Sequence, residues 1–176
     1  MVKKQIDAAP VATTKKSRSP LVREAVDRAY ELHGRGDAEG AFAELTAAIE
    51  AHPDEPLLFA ARGHLRRRCK EWQKAIDDFD IALALKPDAP SALFLRGVSL
   101  SMLGKLALAI SDFESCVAVQ PHAADAYYQL GHIHESRGDL SASIDAYSKA
   151  FELEPAEYAY LEDELQDLKC QLYGRN

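Results

Sequence analysis

Apolar residues recur at helical spacing along most of this chain. Ile76, Phe79 and Leu83 follow one another at steps of three and four. Ile110, Phe113 and Val117 repeat this spacing 34 positions later. Residues spaced in this way lie on one face of an α-helix. The pattern therefore predicts amphipathic helices, and its recurrence predicts a repeated structural unit.

Four kinds of residue recur every 34 positions and divide the chain into units. We call each set of positions related by this period a column. The columns contain prolines (Pro53, Pro87, Pro121, Pro155), glycines (Gly63, Gly97, Gly131), small residues (Ala41, Ala75, Ala109, Ser143) and bulky residues (Leu45, Phe79, Phe113, Tyr147). Each unit is expected to hold two helices, the second of which ends at the proline. Two helices approach closely where side chains are small, and the bulky residue fills the space beside the crossing. The units are 22–55, 56–89, 90–123 and 124–157.

These columns and their period resemble the tetratricopeptide repeat over residues 22–157. The resemblance implies an all-α fold, a right-handed α-solenoid of four antiparallel helix pairs. The last repeat would leave an apolar face open, so we expect residues 158–173 to form a C-terminal cap helix. The whole repeat domain is then 20–173. The first repeat departs from the pattern, because Ala29 stands in the glycine column.

Two further columns change together and indicate ion pairs. In each of the first three repeats, an arginine of the first helix is followed 16 residues later by an acid of the second helix. The pairs are Arg28 and Glu44, Arg62 and Asp78, and Arg96 and Asp112. In the fourth repeat both positions are apolar, Leu130 and Ala146. We expect an ion pair between the helices in repeats one to three and an apolar contact in repeat four. An arginine ladder that binds an acidic ligand is the alternative.

Charge is distributed unevenly. The 176 residues carry a formal net charge of −7, but residues 1–20 hold five Lys and Arg residues against the single acid Asp7. Residues 1–19 are polar and few of them are apolar, so we expect a disordered basic N-terminal tail. The remaining body is acidic, which disfavours nucleic acid as a partner.

Other features bound the location and the chemistry. No apolar run approaches the roughly 18 residues that a membrane-spanning helix needs. Three cysteines lie far apart with no CxxC motif, which predicts reduced thiols and a cytoplasmic location. No phosphate-binding glycine loop is present, and His132 and His134 would point to different sides of one helix. We therefore expect no metal, no cofactor and no enzymatic activity.

The resemblance implies that the first helices line a concave groove, which binds a peptide or a helix of a partner protein. The expected lining residues lie on one face of each first helix, at steps of three, four and three. The predicted binding set is Val26, Tyr30, His33, His64, Arg67, Phe94, Val98, Ser101, Tyr128, His132 and Glu135. Its three aromatic residues are expected to anchor the partner. The alternative is that they pack against neighbouring helices.

Family members that hold acidic chaperone tails use a clamp of Lys, Asn, Asn, Lys and Arg. The matching positions here are Val26, Tyr30, Ala61, Ser91 and Leu95, or, one repeat later, Ala60, His64, Leu95, Asp125 and Gln129. Neither frame matches, which disfavours a co-chaperone of that kind. A separate basic group, Arg66, Arg68 and Lys70, is expected to contact an acidic stretch of a partner or to be a solvated helix end.

The sequence thus predicts a non-enzymatic adaptor or scaffold that binds a partner protein in its groove. One alternative is a dedicated, secretion-type chaperone for a single substrate protein. A second alternative is a self-assembling scaffold, in which a homodimer forms through the leucines of the last helix, Leu161, Leu165, Leu168 and Leu172.

Overall fold

The computed structural model describes residues 20–174, which form nine α-helices and no strand. The helices are α1 (Pro20–Gly34), α2 (Ala38–Ala51), α3 (Pro56–Arg68), α4 (Trp72–Leu85), α5 (Pro90–Met102), α6 (Leu106–Val119), α7 (Ala124–Ser136), α8 (Leu140–Leu153) and α9 (Leu161–Tyr173). The first eight are the helix pairs of four repeats, and α9 follows as a ninth helix. The predicted all-α solenoid is confirmed. The predicted disordered tail, 1–19, lies outside the described residues.

The helix pairs of repeats two, three and four are drawn together at a glycine. A Cβ atom added at Gly131 would lie 2.5 Å from Cδ1 of Tyr147, and one added at Gly97 would lie 2.8 Å from Cε1 of Phe113. The aromatic ring of the second helix therefore lies directly on the glycine of the first, because no side chain separates them. This contact is the one that the glycine and bulky columns predict.

The repeats stack through a shared interior. Each second helix packs against the first helix of the next repeat, and the first helices α1 and α3, and α3 and α5, also touch. Phe79 and Phe113 are fully buried in one cluster that joins repeats two, three and four. Leu45 and Leu58 belong to a second cluster that joins repeats one and two. No helix in residues 20–174 is both long enough and apolar enough to cross a bilayer.

The predicted ion pairs form in the first three repeats. The N···O distances are 2.6 Å for Arg28 and Glu44, 2.8 Å for Arg62 and Asp78, and 2.6 Å for Arg96 and Asp112. In the fourth repeat Leu130 and Ala146 are buried, at 7% and 9% exposure. The same two columns therefore hold charge in three repeats and apolar contact in one.

Two of these arginines also reach the preceding repeat. Arg62 Nη1 donates to Thr46 Oγ1 at 3.1 Å, and Arg96 Nη1 lies 2.6 Å from Asp80 Oδ1. Thr46 and Asp80 occupy one column, one repeat apart. The arginine column therefore ties neighbouring repeats together as well as the two helices of one repeat. The contacts favour this structural role over an arginine ladder for a ligand.

The last helix is a cap. Leu161, Leu165 and Leu168 are buried in a cluster with Ile144 and Tyr147 of α8. The proposed homodimer seam is therefore wrong for these three leucines, because the face that would meet a second copy already packs within the chain. Leu172 is 37% exposed. The helix also begins at Leu161 rather than at residue 158, after a turn over residues 155–160.

Candidate protein-binding face

The predicted binding residues lie on α1, α3, α5 and α7, the first helices of the four repeats. We name the surface that these helices share the inner face. It carries Tyr30, His33, His64, Arg67, Phe94, Val98, Ser101, Tyr128, His132 and Glu135. Val26 differs from the others, because it is buried with Val22 and Leu58 in the core of repeats one and two. Its predicted contact with a partner is therefore excluded by packing.

In repeats one and two the inner face is polar and built from paired side chains. Tyr30 Oη and His64 Nδ1 are hydrogen-bonded at 2.9 Å, and the two rings lie 5.7 Å apart at a tilt. His33 Nε2 lies 3.8 Å from Cys69 Sγ. These contacts join α1 to the end of α3, so the two imidazole rings are held by residues of the neighbouring repeat.

Arg67 lies beside these histidines and lacks a hydrogen-bond partner at its buried Nε atom. His33 Nδ1 is also buried without a partner among the described residues. Burial, and then the nearby Arg68 charge, lower the pKa of Arg67. Burial is also the largest cause that lowers the pKa of His64, followed by the charges of Arg67, Arg68 and His33. This end of the inner face therefore concentrates positive charge.

The predicted basic group separates into two parts. Arg66 lies 2.8 Å from Asp78 Oδ2 and donates to the backbone carbonyl of Lys74 at 3.2 Å. Asp78 also pairs with Arg62, so Arg66 shares one buried carboxylate and is held towards the fold rather than towards a partner. Arg68 and Lys70 are exposed, and their contact with a partner stays a prediction.

In repeat three the inner face is apolar and borders a cavity. Phe94 is half-buried, with its ring 5.7 Å from that of Phe113. Val98 is also half-buried and packs against the core, and Ser101 is half-buried at the end of α5. A cavity of about 360 Å³ lies between α5 and α7. Its lining includes Phe94, Leu95, Ala126, Asp125 and Glu154.

In repeat four the cap segment covers part of the inner face. Tyr128 stacks on Tyr158 at 5.4 Å between ring centroids and meets Tyr160 edge-on at 6.3 Å. Its ring also lies 5.6 Å from that of Tyr147. The alternative given for the aromatic residues, packing against neighbouring elements, therefore holds for Tyr128.

Two other predicted residues of repeat four have different surroundings. His132 is exposed. Glu135 accepts a hydrogen bond from Tyr147 Oη at 2.8 Å. Burial and the nearby Glu135 carboxylate raise the pKa of Glu164 in α9. This end of the inner face is therefore acidic, in contrast to repeats one and two.

Tyr158, Tyr160 and Glu164 of the cap border the inner face at repeat four but were not predicted there. One sequence signal was available, because Tyr158 lies one repeat period after Ala124 and continues the repeat register. The buried leucines of α9 then occupy the place of a fifth first helix. Among residues 20–174 no three His, Cys, Asp or Glu side chains form a group that could hold a metal ion.

Sequence comparisons identify the repeats. Three family profiles, each described as tetratricopeptide repeat, match residues 25–90, 63–127 and 124–156. Together they cover nearly all of the four predicted units. No curated protein sequence gives a significant match.

Solved structures share the arrangement of helices. MamA 41–end from Desulfovibrio magneticus RS-1 matches with a TM-score of 0.76 at 24% identity, covering 90% of this chain and 89% of that one. A tetratricopeptide repeat protein from Parabacteroides merdae ATCC 43184 matches with a TM-score of 0.74 at 20% identity, covering 86% and 61%. The first TPR of Spaghetti (RPAP3), bound to the HSP90 peptide SRMEEVD, matches with a TM-score of 0.63 at 24% identity, covering 66% and 93%. At these identities the likeness shows the fold alone.

Proposed function

The chain belongs to the tetratricopeptide repeat proteins, and from this premise we propose that it is a non-enzymatic adaptor whose inner face binds a peptide segment of a partner protein. Such repeats are generally protein-interaction modules, and their stacking creates an extended concave surface. The observation that carries the proposal is the cavity between α5 and α7.

The cavity has the character of a side-chain pocket. Phe94, Leu95 and Ala126 supply apolar lining, and Asp125 and Glu154 supply carboxylates. Apolar pockets with a few polar groups are typical ligand sites, and an apolar anchor in a pocket carries much of the binding energy of a peptide. We propose that this cavity takes an apolar side chain of the partner and that its acidic residues favour a neighbouring basic residue.

The packing of the face also suits binding. The ring of Phe94 is fixed by Phe113, and Tyr128 is fixed by the rings of the cap. A surface already held in place loses little conformational freedom when a partner docks. The first TPR of Spaghetti, which shares the fold, is likewise bound to a peptide.

The test is an affinity capture with matched variants of the intact chain. Ser91→Trp places a large side chain at the exposed edge of the cavity and removes no core packing. Ser141→Trp makes the same change at an exposed position of α8 and is the control. Phe94→Ala is a second variant that removes the aromatic wall.

We expect one protein to be captured by the unmodified chain and by Ser141→Trp, but not by Ser91→Trp or Phe94→Ala. Binding of that purified protein to each variant is then measured by calorimetry, with circular dichroism to show that helicity is retained. Equal affinity for Ser91→Trp and Ser141→Trp would show that the cavity is not the binding site.

A further inference from the structure

We propose that His33, His64, Arg67 and Arg68, named here the cationic cluster, form a binding site for the carboxylates of an acidic segment in the partner protein. The inference rests on the proposed function, because it names the chemistry recognised at the other end of the same inner face. Of the cluster, only His64 stands in a column of the family's carboxylate clamp, and neither its residue type nor the rest of that clamp matches here.

The first argument is the lack of compensating charge. No described Asp or Glu is paired with Arg67 or Arg68, whereas Arg62, Arg66 and Arg96 each lie within 2.6–2.8 Å of a carboxylate. The chain as a whole has seven more acids than bases. Arg67 and Arg68 therefore keep an uncompensated positive charge at the end of the inner face, unlike the three arginines that are paired within the fold.

The second argument is unmet hydrogen bonding. Arg67 Nε and His33 Nδ1 are both buried and have no partner among the described residues. Buried polar groups are almost always hydrogen-bonded, so a further polar contact at these two atoms would be favourable. The planar guanidinium of Arg67 is half-buried and presents several donors, which match the two oxygens of a carboxylate.

The third argument is that the site is already positioned. The hydrogen bond between Tyr30 Oη and His64 Nδ1 fixes one imidazole and leaves its Nε2 atom directed away from the tyrosine. Cys69 lies against the other imidazole, at His33 Nε2. The rings are therefore held before any ligand arrives, so binding costs little side-chain entropy.

The cluster also makes the affinity depend on pH. Burial and the charges of Arg67, Arg68 and His33 hold the pKa of His64 below its ordinary value, so its ring is neutral at neutral pH. A carboxylate bound among these groups favours the charged imidazole, and binding then takes up a proton. Tyr30 is the other titratable group in contact, and it stays neutral because burial raises its pKa. Affinity should therefore increase as the pH falls towards 6, while glutamate carboxylates remain ionised.

The experiment is an NMR titration of the full-length chain with hexaglutamate, hexalysine and hexathreonine peptides. We expect hexaglutamate alone to shift resonances, at the carboxyl ends of α1 and α3. The double variant Arg67→Gln, Arg68→Gln should bind it at least about tenfold more weakly. The control Arg137→Gln, Lys169→Gln removes the same charge from exposed positions elsewhere and should bind it like the unmodified chain.

A thiol measurement gives a second readout. Cys69 is exposed beside His33, and Cys170 is a free thiol in α9. Hexaglutamate should slow alkylation of Cys69 by a maleimide and leave the rate at Cys170 unchanged. Equal rates at Cys69 with and without the peptide, or binding of a phosphoserine peptide without binding of hexaglutamate, would overturn the proposal.

The two proposals fail separately. Ser91→Trp lies at the cavity and should leave hexaglutamate binding intact. Binding of hexaglutamate at the cluster, with a captured partner that is insensitive to Ser91→Trp, would contradict the proposed cavity alone. A partner that depends on Ser91 but binds equally to the Arg67→Gln, Arg68→Gln variant would contradict the cationic cluster alone.

Discussion

Lys70 occupies a backbone position that the other three repeats give to glycine. Its φ is 61°, and the equivalent Gly36, Gly104 and Gly138 have φ values of 88°, 72° and 76°. An L-residue in this left-handed region has a strained contact between Cβ and the backbone, at a cost of about 1–2 kcal/mol. The turn of repeat two therefore keeps the shape of the others with a less suitable residue.

Lys70→Gly should stabilise the protein. Relief of the strain outweighs the greater freedom of glycine in the unfolded chain, so we expect the free energy of unfolding to rise by about 0.5–1 kcal/mol in a urea titration. Lys70→Ala is the control, because it removes the charged side chain and keeps the Cβ atom. An equal gain from both variants would mean that repulsion with the neighbouring arginines, rather than backbone strain, is being relieved.

The lowered pKa of His64 predicts that the folded protein loses stability in weak acid. Its pKa in the folded chain lies below the ordinary value of about 6.5. The unfolded chain therefore binds a proton more readily, so stability is complete above that pH and is lost as the pH falls from about 6.5 through the folded pKa. Between about pH 7.5 and pH 5.5, thermal melting of His64→Gln should fall less than that of the unmodified chain.

His132→Gln is the control, because it removes an exposed histidine from the same column of repeat four. It should retain the full acid-dependent fall in melting temperature. If His64→Gln and His132→Gln behaved alike, His64 would play no part in this pH dependence.

At the scale of helices, repeat four has an apolar pair at the positions where repeat three has a buried ion pair. Asp112 is 5% exposed and is held by Arg96, whereas repeat four has Leu130 and Ala146 in those columns. Removing one partner of a buried pair leaves an uncompensated charge, but replacing both with apolar residues is often neutral. The fourth repeat therefore shows which apolar pair the packing accepts.

Asp112→Ala alone removes the buried partner of Arg96 and leaves only the exposed Asp80, so it should lower the free energy of unfolding by about 1–3 kcal/mol. The double variant Arg96→Leu, Asp112→Ala copies repeat four and should come within about 1 kcal/mol of the unmodified chain. Glu44→Ala, whose partner Arg28 is 58% exposed, should cost at most about 1 kcal/mol. Urea titrations of the four proteins measure these values, and a double variant as unstable as Asp112→Ala would show that the columns are not interchangeable.

At the scale of helices, the sequence predicts the structural features whose residues recur with the repeat period. The helix pairs, the contact of Gly131 with Tyr147 and the ion pairs all follow from columns with the period of 34 residues, each filled in at least three repeats. The bond from Arg66 to Asp78 could not be predicted in this way, because the other repeats have Leu32, Leu100 or His134 in place of Arg66. The stripe of leucines in α9 was also ambiguous, because an amphipathic pattern shows that a face is covered but not by which chain.

The different roles of the aromatic residues on the inner face could not be predicted from the sequence, for a similar reason. Phe94 and Tyr128 share a column, yet the first borders a cavity and the second is covered by Tyr158 and Tyr160. The difference arises because the cap follows repeat four and no cap follows repeat three. A column predicts which side of a helix a residue occupies, and the neighbouring element decides whether that side is open.

Across the whole molecule, the inner face has two ends of opposite character. The cationic cluster lies on α1 and α3, and the cavity with Asp125 and Glu154 lies between α5 and α7. Neighbouring helices are about 8–10 Å apart, so the two proposed sites are separated sideways by two helix spacings. The cluster lies at the carboxyl ends of its helices and the cavity at the first turns of α5 and α7, which adds about 12 Å along the helix axes and gives about 20–25 Å in all. An extended peptide covers that distance in about six or seven residues.

This geometry predicts a spacing in the ligand. A peptide with a pair of glutamates about six or seven residues from a Leu-Lys pair should span both sites, because the second contact becomes intramolecular once the first has formed. Peptides of the same composition, with the two pairs adjacent or about three residues apart, cannot reach both and should bind about tenfold more weakly or worse. Fluorescence anisotropy of labelled peptides, made in both sequence orders, measures the affinities. The advantage of the long spacing should disappear in the variant Arg67→Gln, Arg68→Gln and also in Ser91→Trp, since each leaves one site. An affinity that follows composition and ignores spacing would mean that the two ends of the inner face do not bind one peptide together.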